Sequence, residues 1–456
     1  MDKERMKCLV QDSQAVSVRF PRIMIAAEKS GGGKTLFTCA LLSLLKEKIQ
    51  EVRAFKCGPD YIDPMFHRTV LEIPSRNLDS FFADGDTLRY LLGREVLEME
   101  KFPESRIAVL EGVMGFYDGL GGVSERSSAW EVADLTDTPV ILLVDMMGRS
   151  LSALASIKGF LDYKEKSHVT GVVFNRLSPM LYPGLKERAE RELGIRVFGY
   201  VPELKDMTLE SRHLGLVMPE EIPGIRERLD LIKEKVRVEI NLDGIIEEAG
   251  RAAEIEVKLP EAVRQFCNVD CGTGIKKTVV AVAKDEAFCF YYEDNLDILR
   301  KLGAEIQYFS PIHDRNLPVE TCAVYLGGGY PELHAKALSE NISMRNAIRQ
   351  AVMEEMPCIA ECGGYLYLKD SIVDPDGVDA AHEYGIPLIV DEAHGAHLEY
   401  ADQCHSFPKS ALEYGADIVI QSLHKTLPCF TQTAILHVKG KFVDQDRVSR
   451  YLSMFQ

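Results

Sequence analysis

An α/β fold built on parallel sheets is predicted by three features of this 456-residue chain. Short, nearly continuous apolar runs alternate with longer segments of helical periodicity, the pattern of strands buried on both faces between covering helices. A glycine-rich turn, Glu28-Lys29-Ser30-Gly31-Gly32-Gly33-Lys34-Thr35, separates the first such run from the first helical one. A second strand-to-helix turn, Ala360-Glu361-Cys362-Gly363-Gly364, sets a cysteine beside paired glycines.

In chain order, strands are expected at Ile23–Ala27, Ile107–Leu110, Val140–Val144 and Gly171–Phe174, and a helical stretch from about Ile222 to Gly250 closes this region. From about Ala252 to Lys277 the chain is polar and irregular, with Pro260 and a Cys267/Cys271 pair, and reads as a linker. A second set has strands at Thr278–Ala283, Ala323–Leu326 and Pro357–Ala360, with helices over Asp294–Leu302 and Asn341–Glu355. Beyond Val378, strands are expected at Pro387–Val390 and Ile418–Gln421. The resulting division is 20–251, 252–277, 278–377 and 378–456.

Composition narrows the function. With 46% hydrophobic and 27% charged residues the chain is globular, and its net charge of −17 disfavours nucleic acid as a partner. No apolar run is long enough to span a membrane, and the charged start, Met1-Asp2-Lys3-Glu4-Arg5, leads into no secretory h-region. The 11 cysteines are scattered, some within apolar runs, as in a reducing compartment. A cytoplasmic enzyme is the expectation.

Gly33-Lys34-Thr35 completes the second half of a P-loop at a strand-to-helix turn. Gly31, Gly32 and Gly33 let backbone N–H groups approach phosphate, Lys34 would reach the β/γ oxygens, and Thr35 would ligate Mg²⁺. Glu28 occupies the position of the motif's opening glycine, and Lys29 has the spacing of the second lysine in variant loops of the K-G-G-x-G-K-T type. Carboxylates facing the phosphates are offered by Lys56-Cys57-Gly58-Pro59-Asp60-Tyr61-Ile62-Asp63-Pro64 and by Glu111-Gly112-Val113-Met114-Gly115-Phe116-Tyr117-Asp118-Gly119. Each acid has the alternative of a solvated or turn-capping carboxylate. Asn175, directly after a strand, suits a nucleobase edge, and an ordinary turn asparagine is the equal alternative.

These two segments, with Pro74-Ser75-Arg76-Asn77-Leu78-Asp79, Ser211-Arg212-His213-Leu214-Gly215-Leu216 and Phe288-Cys289-Phe290-Tyr291-Tyr292, resemble the cobyrinate a,c-diamide synthase family from about Arg22 to Gly377. The resemblance implies a P-loop, dethiobiotin-synthetase-like parallel-sheet domain followed by a class I glutamine amidotransferase-like α/β domain. It implies ATP-dependent amidation of the a and c carboxylates of cobyrinate through acyl phosphates, with ammonia from glutamine. Carried over by motif, Asp60 and Asp63 take the catalytic and metal-linked positions, Glu111 that of the Mg²⁺ carboxylate, and Asp118 that of the other functional acid. The expected metal set is Thr35, Asp60 and Glu111.

Cys362, on a sharp turn next to Gly363, has the elbow placement of a nucleophile for the glutamine amide. Tyr325-Leu326-Gly327-Gly328-Gly329-Tyr330-Pro331-Glu332 resembles the family's facing oxyanion loop, with Gly328 and Gly329 on the glutamine side. The family also places a histidine and an acid roughly 90 residues past the cysteine as its base, and the sequence beyond Gly377 has no match to that segment. An impaired glutaminase is therefore expected.

Residues 379–456 resemble a fragment of the Orn/Lys/Arg decarboxylase family of fold-type I PLP enzymes, on Ala381-His382-Glu383-Tyr384-Gly385-Ile386-Pro387-Leu388-Ile389-Val390-Asp391-Glu392-Ala393-His394 and Gln421-Ser422-Leu423-His424-Lys425-Thr426. That resemblance sets Asp391, His394 and Lys425 at vestigial PLP positions. The phosphate cradle and ring-stacking segments have no counterpart here, so PLP is not expected to bind. His382, His394, His397, His405, His424 and His437 are the tail histidines that would have to approach Cys362 to replace the missing base.

Three further readings stay open at this level: the same ligation on another tetrapyrrole such as Ni-sirohydrochlorin, a P-loop ATPase switch without ligase chemistry, and a non-functional chimera. The expected partners are a tetrapyrrole polycarboxylate and glutamine or ammonia, with no nucleic acid and no membrane, and a homodimer is allowed.

Overall fold

The computed structural model describes residues 15–97, 105–203, 225–261, 263–264 and 278–369, and beyond them the strands at 371–373, 379–381, 389–391, 418–422 and 434–438. The chain forms two compact units, one of Met1–Thr273 with Tyr292–Leu302, the other of Gly274–Tyr291 with Gly303–Gln456. The motif Ser211–Leu216, the Cys267/Cys271 pair, His382, His394, His397, His405, His424 and Lys425 lie outside the described residues.

The first unit holds a short antiparallel pair, β1 (Val16–Val18) with β9 (Ile255–Val257), and a seven-stranded parallel sheet. The sheet strands are β2 (Arg22–Ala27), β3 (Glu51–Cys57), β4 (Ser75–Leu78), β5 (Arg106–Glu111), β6 (Val140–Asp145), β7 (Val169–Asn175) and β8 (Arg196–Val201), in the order β4-β3-β5-β2-β6-β7-β8. The two-residue side-chain period divides each central strand between two cores. Met24, Leu110 and Leu142 enter one apolar cluster, while Ile25, Val109 and Leu143 enter the other. Strand β2 lies between β5 and β6, so the chain leaves it at the switch point where open α/β sheets bind ligands. Arg22, at the start of β2, is fully buried, and its guanidinium donates to Thr138 Oγ1 at 3.1 Å and to the carbonyls of Thr136 at 2.7 Å and Ala253 at 2.8 Å.

Two expectations need correction. The helical stretch closing this unit is two helices, Ile225–Glu239 and Leu242–Gly250. Ile240 bridges to Gly199 between them, and the Asn241 side chain accepts from Gly244 N to start the second. The stretch from Ala252, read as irregular, begins with β9, whose three residues are too few to show a strand period. Helix Glu293–Lys301 belongs to this first unit, where Asp294 Oδ1 lies 2.9 Å from Arg76 Nη1 and Asp297 Oδ2 lies 2.7 Å from Arg76 Nη2.

The second unit has a four-stranded parallel sheet of β10 (Thr278–Ala283), β11 (Ala304–Phe309), β12 (Thr321–Leu326) and β13 (Cys358–Ala360), in the order β11-β10-β12-β13. Among the described residues, the tail strands do not extend this sheet. Ser371–Val373 pairs antiparallel with Asp379–Ala381, and Ile389–Asp391, Ile418–Ser422 and Ala434–Val438 form a separate three-stranded sheet.

Candidate active site

Helix α1 (Lys34–Lys48) starts directly after β2 and the glycine turn. Gly33 has φ +88° and Gly31 φ +68°, conformations that a β-carbon strains. A β-carbon on Gly33 would also lie 2.6 Å from Asn175 Nδ2. Asn175 explains the closeness, because its Nδ2 donates to the Gly32 carbonyl at 2.9 Å. It braces the loop from the end of β7. Lys34 Nζ donates to the carbonyls of Met114 and Lys29, so the motif around Glu111 and the glycine turn share one ammonium. Burial, and then the neighbouring Lys56 cation, push Lys34 down to about 8 against the pull of Glu111, Asp63 and Asp118.

The carboxylates converge beside Thr35. Its hydroxyl donates to Glu111 Oε1 at 2.8 Å and reaches Asp63 Oδ2 at 3.3 Å. Lys56, the buried penultimate residue of β3, lies 2.9 Å from Glu111 Oε1, hydrogen-bonds Asp63 and stands 3.8 Å from Asp60 Oδ2. Burial alone would neutralise Lys56, but Glu111, Asp63 and Asp60 hold its ammonium protonated above the usual lysine range. The two buried acids diverge. Burial and the adjacent Glu111 charge push Asp63 well above the usual carboxylate range. Burial also penalises the Glu111 charge, but Lys56 and then His67 hold that carboxyl below the usual range. Of the pair, Asp63 takes up a proton first.

Asp63 comes to this point from the first turn of helix α2 (Ile62–Thr69), while Asp60 caps that helix, its Oδ1 accepting from Ile62 N at 2.8 Å and Asp63 N at 3.3 Å. The structure thus sets Asp63, rather than Asp60, against Thr35 and Glu111. Asp118 is exposed, and its Oδ2 closes the turn by accepting from Gly115 N at 3.1 Å. Sequence reasoning assigned no role to Lys56 or His67, although both lie in or beside the quoted motif. A lysine next to last in a buried strand, three residues before Pro59-Asp60, was the available signal for the first.

Among the described residues, no cluster of three or more His, Cys, Asp or Glu is suited to a metal ion. Thr35, Asp63 and Glu111 nevertheless fit Mg²⁺, which takes one or two carboxylates and completes its shell with water and substrate phosphate. Glu111 is buried, its Oε2 has no hydrogen-bond partner and its Oε1 points to Thr35 and Lys56, so the carboxylate carries charge that its present partners meet only on one side.

Around the P-loop, Lys29 Nζ lies 3.0 Å from Asp145 Oδ2, and Asp145 also accepts from Arg176. Glu28 pairs with Arg149 at 2.7 Å and accepts from Asp145 N at 3.2 Å. The residue in the place of the opening glycine thus joins the loop to the end of β6.

In the second unit, Cys362 follows β13 with φ +49° and ψ −115°, a strained conformation that turns an exposed side chain off the strand-to-helix corner. Gly364 N donates to the Gly327 carbonyl at 2.8 Å, and a β-carbon on Gly328 would lie 3.3 Å from Cys362 Cβ. One on Gly363 would meet Gly329 O at 3.0 Å. The cysteine turn and the glycine loop therefore face each other at contact distance. Tyr325 donates to Glu361 Oε2 at 2.9 Å, holding the residue before the cysteine. His313 of this unit is engaged with Glu286 at 3.0 Å. The side chains of Asp391 and His437 lie outside the described positions, although both residues stand in strands.

Residues 23–217 match the CobQ/CobB/MinD/ParA nucleotide binding domain, and residues 279–389 the CobB/CobQ-like glutamine amidotransferase domain. Residues 340–456 match the Orn/Lys/Arg decarboxylase major domain, overlapping the second match. The chain is 38% identical over 363 residues to cobyrinate a,c-diamide synthase of Thermoplasma volcanium, covering 79% of this chain and 76% of that protein. To the Priestia megaterium protein of the same name it is 35% identical over 356 residues, covering 78% and 74%. To that of Clostridium tetani it is 34% identical over 421 residues, covering 89% and 90%, an alignment long enough to run past residue 379.

Proposed function

The chain belongs to the cobyrinate a,c-diamide synthase family, and on that premise we propose that its first unit activates the a and c carboxylates of cobyrinate as acyl phosphates, which ammonia then converts to amides. The observation that carries the assignment of roles is the convergence of Thr35, Asp63 and Glu111 with the ammonium groups of Lys34 and Lys56, at the switch point of a parallel sheet.

The backbone of Gly31–Gly33 and the start of α1 cradle the triphosphate, and Lys34 turns from the Met114 carbonyl to the β/γ oxygens. Thr35, Asp63 and Glu111 would hold Mg²⁺, which shields phosphate charge. A substrate carboxylate oxygen attacks the γ-phosphorus and ADP leaves. Ammonia then attacks the acyl carbon, phosphate leaves with the bonding pair, and a carboxylate takes the proton that nitrogen loses. Lys56 stabilises charge on the transferring group, and Asp60 and Asp118 keep the catalytic roles that their motifs imply. In the second unit Cys362 attacks the glutamine amide, with the Gly328–Gly329 loop and Gly363 N–H receiving the oxyanion. The enzyme works in the cytoplasm, and a homodimer is allowed.

Cobyrinate labelled with ¹⁸O in its carboxylates tests this reading. One ¹⁸O must appear in inorganic phosphate for each amide formed. ATP turnover that corrin does not stimulate, with no label in phosphate, would instead favour a switch ATPase.

A further inference from the structure

His67 is a fully buried imidazole with no part in the chemistry above, and its surroundings are specific. It lies one helical turn after Asp63 on α2, so one short helix carries both a proposed metal ligand and this ring. Its Nδ1 is 3.0 Å from Ser75 Oγ, at the first residue of β4, and that hydroxyl is itself buried. Its Nε2 faces Glu111 Oε2 across 3.6 Å, just beyond hydrogen-bond length. Both Nε2 and Oε2 are buried with no hydrogen-bond partner. The other Glu111 oxygen, Oε1, accepts from Thr35 and Lys56, the side on which the proposed cation would sit. The carboxylate therefore has one oxygen turned to Thr35 and Lys56 and one to the imidazole. Two unpaired polar atoms of opposite character, sealed from water and aimed at each other, need only a small rotation to meet.

We infer that His67 is a positioning residue for Glu111: Ser75 donates to Nδ1, which leaves the ring proton on Nε2 to hold Oε2 and fix the plane in which Oε1 meets the cation. The inference rests on the proposed metal role of Glu111. A ligand held in one plane loses less freedom on binding, and such supporting groups typically change metal affinity by about 10- to 100-fold.

The test is Mn²⁺ binding to the full chain in the presence of ADP, read by electron paramagnetic resonance. His67→Phe keeps the bulk and removes the donor, and is expected to raise the Mn²⁺ Kd by about tenfold or more. His67→Gln retains an N–H near the Nε2 position and is expected to recover most of that loss. Ser75→Ala, which frees Nδ1, should shift Kd in the same direction by less. Thermal melting of each variant separates misfolding from the effect, and where His67→Phe fails to fold, a folded Ser75→Ala with an unchanged Mn²⁺ Kd overturns the inference while a raised one supports it. Glu111→Gln is the control. If Glu111→Gln weakens Mn²⁺ binding and His67→Phe, folded, does not, the positioning role is overturned alone. If Glu111→Gln leaves Mn²⁺ binding unchanged, the metal role of Glu111 is overturned and the inference with it. Equal losses in His67→Phe and His67→Gln, both folded, would also overturn it.

Discussion

Lys56 Nζ lies 2.9 Å from Glu111 Oε1, the same oxygen that accepts the Thr35 hydroxyl at 2.8 Å. One carboxylate oxygen thus ties the end of β3 to the first turn of α1. Lys56→Met leaves Glu111 and Asp63 buried without their cation, a loss of about 3–5 kcal/mol when one partner of a buried ion pair is removed. Chemical denaturation should show that loss. Lys56→Met with Glu111→Gln should recover part of it, and neither variant should form amide.

Nucleotide affinity should depend on pH through Lys34, whose ammonium is pushed down to about 8 by burial and by Lys56. Below that value free Lys34 is charged and ready for phosphate. Above it, binding must first recruit a proton. The ATP Kd, measured by calorimetry, is therefore expected to be flat below about pH 7.5 and to rise by up to about tenfold per pH unit above 8. Proton uptake should accompany binding in the alkaline limb.

How much of this was legible beforehand follows from particular residues. Lys34 and Thr35 announce themselves by spacing, because only a fixed strand–turn–helix geometry gives Gly-Lys-Thr its use. Strands β2, β5, β6 and β7 were readable because burial on both faces demands continuous apolar runs. Strand β4, Ser-Arg-Asn-Leu, was hidden because its edge position leaves Arg76 and Asn77 half-exposed. Strand β11 at the other sheet's edge was hidden for the same reason. Which of Asp60 and Asp63 reaches Thr35 depends on the start of helix α2, which residue types alone do not set. His67 meets Glu111 only through a crossing of elements 44 residues apart in sequence.

The brace from Asn175 to Gly32 makes a graded prediction. Asn175→Ala removes one buried hydrogen bond and should weaken ATP binding by about 2- to 13-fold, corresponding to roughly 0.5–1.5 kcal/mol. Gly33→Ala meets both the +88° φ and the Asn175 amide, and should abolish measurable binding while the unit still melts cooperatively. Gly33→Ala with Asn175→Ala relieves the contact and not the backbone strain, so it should regain little.

Cys362 predicts a separation of the two half-reactions. Cys362→Ala should leave ammonia-dependent amidation intact within about twofold, because the thiol touches only glutamine chemistry. A loss measured with ammonium chloride would mean that the cysteine turn also supports the synthetase step.

Amide formation on cobyrinate with ATP and Mg²⁺, comparing ammonium chloride with glutamine at low free ammonia, tests the account most directly. Two amides per corrin are expected with ammonium chloride, abolished by Glu111→Gln, and little product with glutamine, on the sequence reading that the stretch past Gly377 lacks the family's histidine and acid. Glutamine-driven, Cys362-dependent synthesis at the ammonia rate would contradict the impaired glutaminase, and no amide from either donor would contradict the ligase itself.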